Sequence, residues 1–419
     1  MSEKEKKLDK IISKKMRALK ILVTGASGYV GCNLRKYLEG VGYDVYGLTS
    51  KEVRGEKTYQ VNTTDPQKLF SVLDSVKPDV IVHTVALSSL SECEKNPELA
   101  MKLNVETTRN IIDAVREIDQ NAKLIFMSSD YVFDGERGDY KEDDQINPQT
   151  VYGKTKVLSE ADIRECLENY IICRTANVYG GGGNFFNFVF DALEQNKIVD
   201  VFDDVFYTPT YMGYLLDSLR VLIELDFKGI IHVAGRERLS RYDFALKMAE
   251  TLGKDKTLVR PVKAVGKLVA KDSSLNCDYS REVLRNYWPS VEESLHFCWG
   301  NLFPPYCHSV DERGSFAGVF QGYNWAEINY VESVKGSVRG NHYHKETVEG
   351  FFIIDGKIKV TLVDVVKGSK RAFIAKKGDV MLINPNTLHT FEMLENSKWI
   401  NMLSKDMKFE PKDIYSVER

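Results

Sequence analysis

The sequence lacks the features that mark membrane proteins, nucleic-acid-binding proteins and disulfide-rich secreted proteins. No apolar run is long enough to cross a bilayer. With 57 basic and 60 acidic residues the formal net charge is -3 at pH 7, so the chain offers no basic field for nucleic acid. The seven cysteines, an odd number at scattered spacings, suit a reducing compartment better than a disulfide framework. We therefore expect a globular, cytoplasmic protein.

The N-terminal residues are rich in lysine and contain no apolar core of signal-peptide length. Leu8, Ile11, Ile12 and Met16 stand at loosely helical spacing, so one interpretation is a short amphipathic helix that touches a membrane or a partner. We favour the other interpretation, which is a solvated tail over residues 1–18.

A glycine triplet follows the first apolar strand. The strand ILVT begins after Lys20, and Gly25, Gly28 and Gly31 come next at G-x-x-G-x-x-G spacing, before a helical stretch. Glycine at these positions lets the backbone turn tightly and approach a pyrophosphate, which the N–H groups at the helix start can hold. Strands and helices then alternate, which predicts an α/β fold with a Rossmann-type, doubly wound parallel sheet and ligands at the strand carboxyl ends.

The second predicted strand ends without the acidic residue that would bind a ribose 2′-hydroxyl and repel a 2′-phosphate. Lys51 and Arg54 stand in this region and could accept that phosphate. We therefore expect NADPH as the cofactor, with NADH as the alternative if the two cations only belong to a solvated loop.

A serine, a tyrosine and a lysine form the candidate catalytic group. The apolar strand LIFM delivers Ser129 to its carboxyl end, and Tyr152 and Lys156 lie one turn apart on the helix that follows. A cation beside a phenol favours the phenolate, so Lys156 is expected to lower the pKa of Tyr152. Hydroxyl, phenol and ammonium together can polarise a carbonyl group and supply its proton. On the Tyr-Lys spacing alone, a solvated helix face would be the better interpretation, and it is the preceding Ser-Ser strand end and the glycine triplet that favour a catalytic pair.

The runs SSDYVFDG and VYGKTK, together with the glycine triplet, resemble the extended short-chain dehydrogenase/reductase superfamily and, within it, the dTDP-4-dehydrorhamnose reductase family. The resemblance implies that the substrate is a nucleotide-diphosphate sugar with a ketone at C4. Ser129 would orient this ketone, Tyr152 would protonate its oxygen, and Lys156 would hold the nicotinamide ribose while NADPH delivers hydride to carbon.

The same resemblance extends to further positions. In LNVETT it assigns Asn104 to a proton relay through a water bonded to the asparagine backbone, although by itself this is an ordinary polar helix residue. RTANVYG and DDVFYTPTYMGYLLDSL resemble sugar-nucleotide reductases as well, which makes Arg174, Thr208 and Thr210 candidate substrate contacts. The remaining cofactor contacts that it implies are Ser27, Tyr29, Val30 and Ala86.

The strand-helix alternation stops between Leu295 and Val310, where HFCWGNLFPPYCHS contains paired prolines. Its cysteines and histidines lack the close pairs of a structural zinc site, so a linker is the better interpretation. We accordingly place a reductase domain at 19–300 and a second domain at 301–419. The second domain alternates apolar and polar residues around tight turns such as Asp355-Gly356, which predicts hairpins and a small β-barrel.

This barrel sequence resembles the cupin superfamily, whose fold is a jelly-roll barrel. The first cupin motif, G-x5-H-x-H-x4-E-x6-G, is matched from Gly336 to Gly356, and GDVMLINPNTLH resembles the second motif. Residues two apart on a strand point to one side, so two histidines of the first motif should face the barrel interior together. Three imidazoles and one carboxylate suit a divalent Zn, Mn, Fe or Ni ion, of which we expect zinc. The expected ligands are His342, His344, Glu349 and His389.

The segments VDERGSF and KGSVRGNHYH also resemble sugar-nucleotide 3- or 3,5-epimerases, in which the histidine corresponding to His342 is the base. Arg313 and Arg339 would then hold the diphosphate, unless they are ordinary salt-bridge partners. Metal-free epimerases lack the second histidine, so His344 and Glu349 depart from that family. The combined architecture is similar to the bifunctional epimerase/reductases of UDP-N-acetyl-L-fucosamine synthesis for surface polysaccharide.

Two other functions stay open. In one, the cupin is a non-catalytic dimerisation or ligand-sensing module and the chain is a reductase only. In the other, the chain is a regulatory nucleotide-binding protein, because the regulatory subunit of methionine adenosyltransferase shares the reductase fold. Members of both the reductase and the epimerase families commonly dimerise, so we expect a homodimer.

Overall fold

The computed structural model describes residues 19–51, 56–180, 184–266, 269–300, 302–304, 307–311, 314–319, 325–366, 368–405 and 413–416. The predicted tail at 1–18 and the candidate residues Arg54 and Arg313 lie outside these ranges. Among the helices that are described, none combines the length and the apolar composition that crossing a bilayer requires.

The strands, numbered along the chain, are β1 Lys20–Thr24, β2 Asp44–Thr49, β3 Thr58–Gln60, β4 Val80–His83, β5 Lys123–Ser129, β6 Tyr170–Thr175, β7 Val178–Tyr179, β8 Val199–Phe202, β9 Phe206–Tyr207, β10 Thr210–Tyr211, β11 Gly229–His232, β12 Leu239–Ser240, β13 Val259–Val262, β14 Cys307–Asp311, β15 Gly314–Gly318, β16 Glu327–Ser333, β17 Val338–His342, β18 Glu349–Asp355, β19 Lys357–Asp364, β20 Lys370–Lys376, β21 Val380–Ile383, β22 Thr387–Met393 and β23 Ser397–Leu403.

The α-helices are α1 Tyr29–Gly40, α2 Pro66–Val76, α3 Leu90–Lys95, α4 Pro97–Met101, α5 Thr107–Ile118, α6 Val151–Cys166, α7 Asn184–Glu194, α8 Met212–Glu224, α9 Arg241–Thr251, α10 Asp278–Leu284 and α11 Val291–Cys298. Short helical turns of other types are the π-helix Lys102–Glu106 and the 3-10 helices Asp130–Val132 and Lys256–Leu258.

The described residues form two compact units, each made of several chain segments. The first unit comprises Met1–Gly183, Phe202–Arg241 and Lys263–Leu284. The second unit comprises Asn184–Val201, Tyr242–Val262 and Arg285–Arg419, so that the predicted domain boundary at residue 300 falls inside it.

The first unit contains, in its described residues, a seven-stranded sheet of order β11-β6-β5-β4-β1-β2-β3. All neighbouring strands in it run parallel. The near-continuous apolar runs of β1, β4 and β5 explain why these strands are buried almost throughout. The strand order reverses between β1 and β4, and open α/β sheets bind ligands beside the strand carboxyl ends at such a point. This confirms the Rossmann-type, doubly wound class.

Local sequence places the helix α6 beside the end of β5. The Thr150 hydroxyl accepts a hydrogen bond from the Gly153 N–H at 3.0 Å, so the helix begins at Val151. A side chain at Gly153 would meet the Tyr131 carbonyl oxygen at 2.2 Å, so glycine lets the helix approach the turn that follows β5. Tyr152 therefore lies in the first turn of α6, close to the strand end that carries Ser129.

The described C-terminal part of the second unit is all-β, with antiparallel sheets of order β16-β23-β18-β21 and β17-β22-β19-β20, and is compatible with a β-barrel. Its core includes Phe351, Val360 and Phe391. The predicted hairpins need a correction, because the turn at Gly356 joins strands of different sheets, and so does the turn at Gly378. A side chain at Gly356, whose φ is +89°, would meet the Asn396 carbonyl oxygen at 2.5 Å.

The described residues of the segment predicted as a linker pack within the second unit. Helix α11 extends to Cys298 and begins with a capping box between Ser290 and Glu293. Leu302 is buried in the barrel core, and Phe297 packs against the same cluster. These apolar contacts make this part of the segment a structural element of the unit.

Candidate active site and candidate metal centre

Lys156 and Tyr152 meet at the carboxyl end of β5. Lys156 is 3% exposed, and its Nζ donates a hydrogen bond to the Met127 carbonyl oxygen at 2.8 Å. The same Nζ lies 4.7 Å from the ring centroid of Phe126 and 5.7 Å from that of Tyr152. Burial lowers the pKa of Lys156 to about 8, so the ammonium form still predominates at neutral pH.

The pKa of the Tyr152 phenol is higher in this structure than the sequence predicted. Burial, followed by the charge of Asp130, raises the pKa of Tyr152 above its ordinary value. The expected lowering by Lys156, whose Nζ donates to the Met127 carbonyl oxygen, does not appear among the causes of this shift. Tyr152 is therefore a neutral phenol at neutral pH, which is the form that can donate a proton.

Asp130 was expected at the same strand end, in the run SSDYVFDG, but no role was predicted for it. The carboxylate is 5% exposed and accepts hydrogen bonds from Ser129 Oγ at 2.9 Å and from Ser273 Oγ at 2.6 Å. Burial raises the pKa of Asp130 to about 6, against the opposing effect of the two serines. Ser129 thus gives its hydrogen to Asp130 in this state.

The glycine triplet forms a tight turn at the carboxyl end of β1. Gly25 has φ +69°, and a side chain at Gly31 would meet the Gly25 carbonyl oxygen at 2.3 Å. Helix α1 begins after Gly28 without a side-chain cap, which leaves N–H groups of its first turn available for an anion. Val30 lies in that first turn. These are the features that a pyrophosphate site needs.

The other predicted cofactor contacts lie at the same edge of the sheet. Ser27 Oγ accepts a hydrogen bond from Thr49 Oγ1 at 2.7 Å, and the Tyr29 hydroxyl donates to the Gly180 carbonyl oxygen at 2.8 Å. Ala86 follows the carboxyl end of β4. Lys51 follows β2 and is exposed, so its ammonium is accessible to a phosphate.

His83, a second residue for which no role was predicted, links the glycine turn to the helices behind it. Its Nδ1 lies 2.7 Å from Thr24 Oγ1, and its Nε2 lies 3.1 Å from Thr108 Oγ1. Thr108 already donates to the Asn104 carbonyl oxygen, so it accepts from Nε2–H and leaves Nδ1 to accept from Thr24. Burial, then the charge of Lys156, lowers the pKa of His83 to about 3. A single histidine after an apolar strand has no sequence signature that would have revealed this role.

Asn104 lies in the π-helical turn before α5, and both its backbone carbonyl group and its side chain form hydrogen bonds. Its carbonyl oxygen accepts hydrogen bonds from Thr108 Oγ1 at 2.7 Å and Ser159 Oγ at 3.1 Å. Its side chain accepts from Leu87 N and donates to Thr155 Oγ1, at 2.7 and 2.9 Å. Because both lone pairs of the carbonyl oxygen are used, this structure favours a positioning role over the predicted water relay.

Arg174, a predicted substrate contact, is 2% exposed, and its guanidinium group is hydrogen-bonded to other residues of the fold. Its Nη2 and Nε donate to the Glu160 carboxylate at 2.7 and 3.0 Å, and its Nη1 donates to the Glu142 carbonyl oxygen at 3.1 Å. This placement favours a structural role for Arg174 over a contact with the sugar or diphosphate.

Thr208 and Thr210 are also buried. The Thr208 hydroxyl accepts a hydrogen bond from Leu275 N at 3.3 Å, and the Thr210 hydroxyl donates to the Thr208 carbonyl oxygen at 3.3 Å. The Thr208 hydroxyl therefore ties its segment to Leu275, and the Thr210 hydroxyl holds its own segment. Arg339, in contrast, is an exposed residue of β17, with Nε donating to Ser333 Oγ at 2.5 Å.

The second unit brings the four predicted metal ligands together. The candidate ligand atoms of His342, His344, Glu349 and His389 all lie within 4.8 Å of one another. His342 and His389 are paired across β17 and β22, while Glu349 begins β18. His342 is partly exposed and the other three side chains are buried.

Two of the imidazole rings are oriented by backbone carbonyl groups. His344 Nδ1 donates to the Asp413 carbonyl oxygen, and His389 Nδ1 lies 3.2 Å from the Thr387 carbonyl oxygen. The Nε2 atoms of His344 and His389 then lie 3.4 and 3.0 Å from Glu349 Oε2. Metal-binding histidines are commonly held in this way through the nitrogen that does not bind the ion.

Two buried polar atoms of the described cluster lack a hydrogen-bond partner, and this is the feature that best fits a bound cation. Within the described residues, His344 Nε2 and Glu349 Oε2 have no hydrogen bond of good geometry although both are buried. Burial opposes ionisation of Glu349, yet His344 and His389 together hold its pKa well below its usual range. An ionised carboxylate beside inward-facing imidazole nitrogens can hold a divalent transition metal.

In comparisons with known proteins, two family models match the chain, one in each of the regions that contain the two candidate sites. The family model described as "RmlD substrate binding domain" matches residues 19–295. The model described as "Polysaccharide biosynthesis C-terminal domain" matches residues 309–414.

The relatives and solved structures align with the first of these regions. The spore coat polysaccharide biosynthesis protein SpsK of Bacillus subtilis is 30% identical over 284 residues, which cover 64% of this chain and 96% of SpsK. A dTDP-4-dehydrorhamnose reductase of Aggregatibacter actinomycetemcomitans is 34% identical over 251 residues, covering 57% and 81% of the two chains. Methionine adenosyltransferase 2 subunit beta of Bos taurus is 29% identical over 279 residues, covering 62% and 80%. The crystal structure of a dTDP-4-dehydrorhamnose reductase from Bacillus anthracis in complex with NADP superposes with a TM-score of 0.62 at 27% identity, over 68% of this chain and 99% of that one.

Proposed function

The chain belongs to the RmlD substrate binding domain family through residues 19–295, and on this premise we propose that it reduces the C4 ketone of a nucleotide-linked 4-keto-6-deoxyhexose with NADPH. We further propose that its C-terminal region, as a metal-binding cupin, epimerises C3, or C3 and C5, of the same keto sugar. Both reactions would serve deoxysugar synthesis for surface polysaccharide.

The observation that carries the reductase proposal is the placement of Tyr152 and Lys156 on α6 beside Ser129, at a strand end next to the glycine turn. When bound, NADPH supplies the hydride that adds to C4. Ser129 orients the ketone, and Tyr152 donates its proton to the oxygen that becomes a hydroxyl. Lys156 holds the nicotinamide ribose, and its positive charge stabilises the phenolate that Tyr152 leaves until a proton from water restores the phenol. Two of the relatives support the substrate class by their names, and the NADP complex of one supports the cofactor.

The reductase proposal is tested by comparing Tyr152→Phe with Tyr170→Phe. Tyr170 pairs with Leu124 at the amino end of β5, whereas Ser129 stands at the carboxyl end of that strand. We expect Tyr152→Phe to lower kcat by about 10²–10⁴-fold with little change in NADPH affinity, because a general acid is removed and the ring remains. NADPH consumption is measured with a panel of dTDP- and UDP-linked 4-keto sugars. Equal losses in the two variants would reject Tyr152 as the proton donor.

The epimerase proposal follows from the acidity of hydrogens next to a ketone. A base that removes one of them and returns it on the opposite face inverts that carbon. The donor set of His342, His344, Glu349 and His389 suits a divalent ion, with zinc expected, and the ion would supply electrostatic stabilisation of developing negative charge. His342 cannot be base and ligand at the same moment, because a metal-bound imidazole nitrogen has no free lone pair.

The His342→Ala variant separates these two roles. Solvent deuterium incorporation at C3 or C5 of the keto sugar reports the base, and bound zinc per chain reports the ligand set. Lost deuterium incorporation with retained zinc assigns the base, and lost zinc assigns the ligand. If the variant still incorporates deuterium at the wild-type rate and epimerises, His342 is not the base.

A regulatory role is the second candidate, since the chain is 29% identical to methionine adenosyltransferase 2 subunit beta over 279 residues. A regulator of this kind would bind a dinucleotide without consuming NADPH. Absence of NADPH consumption with every 4-keto sugar nucleotide of the panel would favour it. If the chain reduces the keto sugar normally but never incorporates solvent deuterium into it, this would instead favour the cupin as a dimerisation or ligand-sensing module.

A further inference from the structure

The described C-terminal residues 413–416 lie against the chain that carries the histidines of the metal cluster. Tyr343 and Tyr415 exchange two backbone hydrogen bonds of 2.9 Å, and the Asp413 carbonyl oxygen accepts from His344 Nδ1. Lys345 Nζ also lies 4.0 Å from the ring centroid of Tyr415. A segment 69 residues away in the sequence thus contacts both the backbone and the imidazole of this region.

The Asp413 side chain binds the loop between two of the ligands. Its Oδ1 accepts from Lys345 N at 2.9 Å, and its Oδ2 accepts from Glu346 N at 2.9 Å and from Thr347 N and Oγ1 at 2.8 and 2.9 Å. This loop connects His344 to Glu349. One residue therefore fixes the loop through its carboxylate and the His344 ring through its carbonyl group.

We propose that Asp413 is a positioning residue of the metal centre and that residues 413–416 form a latch whose docking is coupled to metal binding. The inference rests on the proposed metal site. A hydrogen bond to Nδ1 fixes the tautomer in which Nε2 carries the lone pair for the ion, and loss of such a partner typically costs about 10–100-fold in metal affinity. Since binding linkage is reciprocal, a latch that strengthens metal binding is itself held more firmly when the metal is present.

The first test measures zinc affinity of the full chain by competition with a chromogenic chelator. The variants are Asp413→Ala and a chain that ends at residue 412. The matched control is Asp379→Ala, because Asp379 also accepts a backbone N–H, from Lys376 at 2.7 Å. Asp379 precedes Val380, which pairs with Phe352, whereas Glu349 pairs with Ile383 at the other end of β21.

We expect the truncated chain, which loses the carbonyl partner of His344, to weaken zinc binding about 10–100-fold. Asp413→Ala keeps that carbonyl group but loses the carboxylate that anchors it to the loop, so we expect a smaller weakening in the same direction. Asp379→Ala should leave zinc binding unchanged. Equal affinities in wild type, Asp413→Ala and the truncated chain would overturn the latch while leaving the metal site intact. A wild-type chain that binds no zinc would overturn the metal site itself, and the latch with it.

A second measurement uses the wild-type chain alone, so it does not depend on how the variants fold. Hydrogen exchange is followed at the amides of Tyr343 and Tyr415 with zinc and after its removal by a chelator. We expect slower exchange of both amides with zinc, because the ladder between them closes more firmly. Unchanged exchange at both positions, in a chain that binds zinc, would contradict the coupling.

Discussion

Single buried side chains hold the strand ends that form the candidate active site. Asp130 takes hydrogen bonds from Ser129 and Ser273, and His83 links Thr24 to Thr108. A buried polar group that loses its partner costs about 1–3 kcal/mol, so each of these bonds matters to the geometry around it. At the scale of one residue, the site is therefore sensitive to changes that leave Tyr152 and Lys156 untouched.

Two buried histidines predict that stability falls in mild acid. Burial lowers the pKa of His83 and of His232 to about 3, while an unfolded histidine has a pKa of about 6.5. Below pH 6.5 the unfolded chain therefore takes up a proton at each of these histidines that the folded chain does not, so each histidine removes about 1.4 kcal/mol of stability per pH unit. The pKa of Asp130, raised to about 6, opposes this loss below pH 6, because there the folded carboxyl takes up a proton before the unfolded one. Urea unfolding at pH 7.5, 6 and 5 measures this slope.

The His83→Gln variant isolates one of the two contributions, because glutamine can still donate and accept hydrogen bonds but does not titrate. We expect a smaller loss of stability between pH 7.5 and 5 than in the wild type. Identical pH dependence of the two chains would show that His83 does not stay neutral in the folded state.

Removing the buried cation Arg174 should cost far more than removing an exposed one. Arg174→Met leaves the Glu160 carboxylate buried without its cation, which typically costs about 3–5 kcal/mol. The control is Arg109→Met, whose partner Asp162 lies on the same helix α6 but whose ion pair is largely exposed, so we expect about 1 kcal/mol or less. Denaturant unfolding gives both values. Unchanged stability with a raised KM for the sugar nucleotide would restore Arg174 as a substrate contact.

At the scale of the element, helix α1 shows how one glycine position differs from another. A side chain at Gly31 would meet the Gly25 carbonyl oxygen at 2.3 Å, whereas nothing lies within 4 Å of one at Gly40, the last residue of the same helix. Gly31→Ala must therefore displace the glycine turn after β1, which is the proposed pyrophosphate site. Gly40→Ala only removes backbone freedom from the unfolded chain.

We expect Gly31→Ala to abolish measurable NADPH binding and Gly40→Ala to keep wild-type binding, with stability equal or higher by up to about 1 kcal/mol. Fluorescence titration with NADPH and thermal unfolding measure the two effects. Wild-type NADPH affinity in Gly31→Ala would exclude the triplet as the pyrophosphate site.

At the scale of the whole molecule, the second unit extends across the predicted boundary at residue 300. His296 lies 5.4 Å from Phe373 between ring centroids, Phe297 packs against the barrel core, and Leu302 belongs to it. A chain cut at residue 300 would expose the apolar surface that α11 covers, and buried apolar surface contributes about 25 cal/mol per Å².

We therefore predict that a fragment of residues 285–419 is more stable than a fragment of residues 301–419. Thermal unfolding of the two fragments, each with zinc, is the measurement, and size-exclusion chromatography of the same samples also tests the expected homodimer. A fragment of 301–419 that unfolds at the same temperature as the longer one would support the predicted boundary.

The sequence by itself determined the features that depend on neighbours along the chain. Glycine spacing predicted the turn after β1, and the four-residue spacing placed Tyr152 and Lys156 on one face of α6. Alternation predicted that His342 and His344 lie together, and they do, although β17 ends at His342 and His344 follows it. The 3.6-residue and two-residue periods of helix and strand fix such relations locally, whatever the rest of the molecule does. The family resemblance then supplied the expected chemistry.

Only the tertiary structure decided which distant groups these residues meet. Ser273, which donates to Asp130, is 143 residues away, and Asp413 is 69 residues from His344. The turn at Gly356 was predictable, but the sheets that its strands join were not, because apolar alternation is the same for every partner strand. Burial likewise made Tyr152 a neutral acid and enclosed Arg174, since burial depends on packing among segments that no local pattern relates.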